Sequence, residues 1–211
     1  MIALVRCLLV AVAALVFAAG SASAHPHVFV TAKGKLVYGP DGALKEIRYV
    51  WVFDEMFSSF ATQGLDTNGD GKLSRDELQA LAKENVDSLK EFAYFTNPPR
   101  GGKQLEFGEP ADYWLETDGK NNLALHFTLP VKNGPKGKLA IEVYDPTYFV
   151  AFSLADGQPI VLEGAPAGCS VAAAGSDNKQ ATNISESFFT QLQAGAGYGE
   201  QFANRITVSC R

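Results

Sequence analysis

A chain of 211 residues, 46% of them hydrophobic, holds enough apolar material for a sizeable core. Its 18 Lys and Arg against 23 Asp and Glu give a net charge of −5, mild acidity that argues against nucleic acid as a partner. With three Cys and three His, thiolate or imidazole chemistry is confined to a few positions.

Residues 1–24 have the pattern of a cleaved secretory signal peptide. Arg6 supplies the positive start, Leu8 to Ala19 the apolar run, and Ser21-Ala22-Ser23-Ala24 the small-residue cleavage pattern. The run is short of the roughly 20 apolar residues a membrane span needs. The reading predicts one exported, periplasmic domain over residues 25–211. Cys7 leaves with the signal, and in an oxidising compartment the remaining Cys169 and Cys210 most simply form one disulfide rather than a thiolate metal site.

Cleavage after Ala24 would place His25 first, in His25-Pro26-His27. The α-amine and imidazole of a leading histidine can chelate one ion together, and such nitrogens suit nickel, cobalt, copper and zinc. Pro26 has no N–H, which excludes the square-planar arrangement built on deprotonated backbone amides. His25, His27 and the strand residue His126 are therefore the candidate transition-metal ligands.

His27 to Tyr38 alternates as a strand, Gly39-Pro40-Asp41-Gly42 is a turn, and Leu44 to Phe53 returns, predicting a hairpin. Residues 54–95 then carry apolar side chains at helical spacing on both sides of a polar loop. That loop, Asp66 to Glu77, has the pattern of an EF-hand calcium site. Oxygen donors fall on Asp66, Asn68, Asp70, Ser74 and Glu77, with the backbone carbonyl of Lys72 as a sixth. Gly71 stands where the loop must turn sharply, and Leu73 supplies an apolar anchor. Calcium is a hard cation wanting about six to eight oxygens, and this spacing wraps them around one point. A single loop of this kind suits a structural clip better than a sensor, since calcium switches expose a Met-rich groove between paired helices.

After the breaker Pro98-Pro99-Arg100-Gly101-Gly102, strands are expected at 103–107, 113–117, 123–129, 139–144, 148–153, 160–163 and 169–174. Short helices are expected at 185–192 and 200–203, and a closing strand at 205–210. The predicted fold class is α+β, an antiparallel β-sheet or sandwich with an inserted EF-hand-like helix-loop-helix at 54–95. No Gly-x-Ser-x-Gly elbow or other nucleophile–base motif is present, so no catalytic residues are assigned and the protein is read as a non-enzyme.

Three segments together resemble a known family: His25-Pro26-His27-Val28-Phe29, Val50-Trp51-Val52-Phe53-Asp54-Glu55, and Val143-Tyr144-Asp145-Pro146-Thr147-Tyr148-Phe149-Val150. The chain resembles the domain of unknown function 1007 family, labelled a periplasmic component of ABC-type transport. The resemblance implies an accessory of transition-metal transport, partnered by an inner-membrane metal transporter of the nickel/cobalt type. The expected function is thus a periplasmic calcium-binding accessory protein of nickel/cobalt, copper or zinc transport. The alternatives are a calcium-stabilised interaction module without a transition-metal role and, last, a small periplasmic hydrolase.

Overall fold

The computed structural model describes residues 27–176 and 197–210. The signal segment, His25 and the helix expected at 185–192 lie outside the described residues.

The opening hairpin forms as its alternation predicts. Strands β1 (Val28–Tyr38) and β2 (Leu44–Phe53) pair antiparallel and bury every second side chain, including Val30, Leu36, Ile47, Tyr49 and Trp51. Two helices follow, α1 (Glu55–Ala61) and α2 (Arg75–Leu89). Short strands β3 (Thr96–Asn97) and β4 (Glu106–Phe107) lead to β5 (Ala111–Thr117), β6 (Leu123–Lys132) and β7 (Leu139–Val143). The chain continues through β8 (Val150–Leu154), β9 (Ile160–Glu163) and β10 (Cys169–Ala174) to β11 (Asn204–Cys210).

One sheet has the order β4-β6-β2-β1-β8, with β5 also on β6 and β9 also on β1; the second runs β10-β11-β7-β3. Both contribute to one apolar core, with Trp51, Leu125 and Phe127 from the first sheet and Ile141, Ile206 and Val208 from the second. Asn204, fully buried, ties the sheets together, its Nδ2 donating to the carbonyls of Val143 (3.1 Å) and Phe152 (2.9 Å). Cys169 and Cys210 face each other across β10 and β11 and are joined by a disulfide. That bond is compatible with a secreted protein.

The expected fold class is corrected in two respects. The fold is β-rich, with 43% of the described residues in strands and 20% helical, and the segment at 54–95 is not a helix-loop-helix insert. Helix α1 spans only seven residues, and α2 ends at Leu89, where residues 90–95 tighten into a 3-10 segment. Helical periodicity overstated both because apolar spacing persists through turns that no longer continue the helix. Both helices also belong to the common core. Leu78, Ala82 and Val86 of α2 are buried within it, and the buried Ser58 hydroxyl of α1 accepts a hydrogen bond from the backbone of Leu123 (2.9 Å). The larger sheet is also mixed rather than antiparallel, because β8 and β9 both run parallel to β1 along one edge. Alternation marks a strand and its faces; it carries no information on the direction of its partner.

Candidate functional site

The loop from Asp66 to Glu77 is closed by its own carboxylates. Asp66 accepts from the N–H groups of Gly69 (2.8 Å), Asp70 (3.2 Å) and Gly71 (2.9 Å). Asp70 accepts from Lys72 N–H (2.8 Å), and Asn68 Oδ1 from Asp70 N–H (2.8 Å). Gly69 and Gly71 have φ of +72° and +75°, the left-handed region that favours glycine. Ser74 caps α2 and forms a reciprocal capping box with Glu77. The Glu77 carboxylate spans the loop, one oxygen on Ser74 N–H (2.9 Å) and hydroxyl (2.8 Å), the other on Thr67 N–H (2.9 Å) and hydroxyl (2.9 Å). These donors, led by the Ser74 N–H, hold its pKa down at about 2.

Among the described residues no three His, Cys, Asp or Glu side chains are gathered as a metal cluster. Like-charged carboxylates spread over separate backbone donors, and Glu77 is held by Ser74 and Thr67 rather than beside Asp66 and Asp70. Asp66, Asn68 and Asp70 supply only oxygen donors, each accepting from N–H groups of the loop, and oxygen is the donor type a hard cation would take there.

The histidines are not brought together. His27 precedes β1, its N–H bonded to the Phe149 carbonyl (2.9 Å) and its ring 4.8 Å from the Phe149 ring. His126 lies on β6 opposite Val50, which in turn faces Lys33. The six residues from His27 to Lys33 put roughly 20 Å between the two imidazoles along the strand direction. His126 stacks on Trp114 at 4.4 Å and 9°, while Arg75 covers Trp114 at 4.7 Å. Glu116 joins the group, bonded to Arg75 (3.1 Å) and Trp114 Nε1 (3.3 Å). It lies 3.1 Å from His126 Nε2 but off the line of a hydrogen bond. Burial pushes the His126 pKa down, against the partial pull of Glu116.

A third feature is a cleft of about 490 Å³ beneath Trp51, with Phe53 and Phe57 stacked at 4.7 Å in its wall. All three sequence segments that carry the resemblance meet here. Val28 comes from the first, Trp51 and Phe53 from the second, and Asp145, Thr147, Phe149 and Val150 from the third. Backbone pairing explains the meeting, since β1 binds β2 on one side and β8 on the other. Asp54 fastens the corner, accepting from Phe29 N–H (2.8 Å) and capping α1 at Phe57 N–H (2.9 Å).

Comparison with protein families matches residues 10–210 to the model described as "Protein of unknown function (DUF1007)". The chain belongs to this family. Among family-level relatives, an uncharacterised 15.5 kDa protein in the trpE 3′ region of Spirochaeta aurantia is 32% identical over 99 residues, covering 46% of this chain and 71% of that protein. No solved structure matches.

Two groups escaped the sequence reading. The Arg75–Trp114–His126 stack joins residues far apart in the chain and has no local signature. Asp145 had one, in Asp145-Pro146-Thr147, where the carboxylate accepts from Thr147 N–H (2.8 Å) and hydroxyl (2.9 Å) and from Val150 N–H (2.9 Å).

Proposed function

We propose that this DUF1007 protein is an exported, non-enzymatic binding protein that holds calcium in the loop from Asp66 to Glu77. The ligands are Asp66, Asn68, Asp70, Ser74, Glu77 and the Lys72 carbonyl. The observation that carries the reading is the inward-turned Asp66 carboxylate, gripped by three loop N–H groups as a rigid first ligand. Calcium supplies the charge that lets Asp66, Asp70 and Glu77 approach one another, with Glu77 exchanging its Ser74 and Thr67 donors for the ion. The loop leads directly into α2, whose Leu78 is fully buried, so the ion clamps a surface loop to the core.

Within this reading the protein serves as an accessory of transition-metal transport, delivering nickel, cobalt, copper or zinc to or from an inner-membrane transporter. Its support is the family resemblance and the candidate ligands His25 and His27 at the start of the exported chain. His126 is a weaker candidate, because Trp114 and Glu116 already occupy it. The apolar cleft favours the second reading, an interaction module that calcium stabilises.

Calorimetry decides the calcium reading. One equivalent should bind, and Glu77→Gln should weaken binding at least about tenfold by removing a charged oxygen donor. Absence of both calcium heat and a calcium-dependent rise in Tm would reject it. Titration of nickel, copper and zinc into signal-cleaved protein tests the accessory role. One residue added before His25 should weaken that binding, and equal affinity would remove the α-amine from the ligand set.

A further inference from the structure

Among the described residues, the cleft beneath Trp51 is lined by one charged group. Asp145 is only 3% exposed and lies in a wall otherwise formed mostly of aromatic and aliphatic side chains. Its three hydrogen bonds, from Thr147 N–H, Thr147 hydroxyl and Val150 N–H, satisfy its oxygens but bring no positive charge. Among the described residues no Lys, Arg or His forms an ion pair with it. A buried carboxylate without a counter-cation is costly, and a cation entering the cleft relieves that cost.

The site is built rigidly around this charge. Gly199 packs so closely on the turn that a Cβ there would stand 1.7 Å from the Asp145 carbonyl, and its N–H bonds to the Pro146 carbonyl (3.0 Å). In the turn that leads to Phe95 of the wall, Ala93, Tyr94 and Phe95 take φ of 49°, 53° and 48°, three successive non-glycine residues in the left-handed region. A side chain with a Cβ is strained in that region. The turn sets Phe95 against Phe152 at 5.3 Å and leaves Phe92 in the cleft wall, 45% exposed. Strain of this kind gathers where a binding surface is held in one shape. The mouth also carries Phe149, 46% exposed. The volume of about 490 Å³ lies within the range of small-molecule sites, about 300–1,000 Å³.

We infer that the cleft binds a small organic cation, an amine with an apolar ring or chain. The apolar body packs against Trp51, Phe95 and Phe149, and the ammonium group meets Asp145, with the aromatic faces adding cation–π attraction. The calcium loop forms no part of this cleft, so the inference stands apart from the calcium reading.

The test compares three probes with one skeleton: 4-phenylbutylamine, 4-phenylbutanol and 4-phenylbutyrate. Binding is followed through Trp51 fluorescence in Trp114→Phe protein, with calcium and again with a chelator. The amine should bind about tenfold more tightly than the alcohol, and the carboxylate most weakly. Asp145→Asn, checked for folding by near-ultraviolet circular dichroism, should erase the preference for the amine. Ser88→Phe, at an exposed rim position, should block all three probes without adding a second tryptophan to the signal. Equal binding of amine and alcohol, no binding by any probe, or binding untouched by Ser88→Phe would each overturn the inference. If Asp145→Asn does not fold, the probe series and Ser88→Phe still decide.

Discussion

All the oxygen donors proposed for calcium lie between Asp66 and Glu77, on exposed or half-exposed residues, whereas the cleft draws its wall from positions 28 to 152 and rests on the buried ring of Trp51. The loop is local: its hydrogen bonds run among near neighbours, and its shape follows from glycines, Asx-type turns and one helix cap. The cleft is non-local and exists only when β1 pairs with both β2 and β8. Altering a local, exposed element should change what it binds, while altering a non-local, buried one should change whether the protein folds.

The largest test of that contrast is Trp51→Ala. Trp51 is 1% exposed and meets Phe127 (4.9 Å) and Phe152 (5.0 Å) edge to face, so truncation should cost about 3–5 kcal/mol in denaturant unfolding. Asp66→Ala in calcium-free protein should cost far less; equal losses would break the contrast. Trp51→Phe should cost less than Trp51→Ala, because the buried indole N–H has no partner among the described residues.

Leu78→Ala probes the joint between the two regions. Leu78 follows Glu77 directly yet is fully buried, so truncation should remove about 2–5 kcal/mol of stability. Calcium affinity should fall in the same variant if the loop needs α2 in place, and an unchanged affinity would show that the loop binds without the core behind it.

Ser58→Ala is a smaller perturbation. The hydroxyl donates to the Asp54 carbonyl (2.7 Å) and accepts from Leu123 N–H, which the substitution leaves buried and unpaired. A loss of about 1–3 kcal/mol is expected, with calcium binding retained.

Acidity gives the smallest effects, and they separate by region. The His126 pKa is pushed below its ordinary 6.5 by burial, so the unfolded chain binds its proton first. Its contribution is complete above pH 6.5 and is lost as pH falls through the lowered value; His126→Gln should flatten that part of the Tm–pH profile. Glu77 acts lower. Its contribution is complete above its ordinary 4.5 and is lost as pH falls through about 2, and Glu77→Gln should remove the step between. A His126 variant that altered the acid step near pH 2–4.5 would contradict this separation.

The legible part of the molecule follows the same division. The hairpin from Val28 to Phe53 could be drawn from alternation and the turn at Gly39–Gly42, and the structure forms it. The disulfide between Cys169 and Cys210 could be anticipated from compartment and count, and β10 pairs with β11 to make it. The helices were overdrawn because apolar spacing at Phe92 continued a stripe that the backbone abandons in the left-handed turn at Ala93–Phe95. His27 and His126 share a residue type and nothing else, since the strand register holds them apart.

By itself the sequence determined the strand faces, the carboxylate-rich loop from Asp66 to Glu77, the cysteine pair and family membership, because each is written in residues close together or in a simple count. Only the tertiary structure decided that β8 and β9 run parallel to β1, that Trp114 meets both Arg75 and His126, and that Asp145 stands in an aromatic wall with no counter-cation among the described residues. The reason is physical: local patterning sets which side of a strand or helix is apolar, but partners are chosen by which distant apolar faces pack together and bury the most surface.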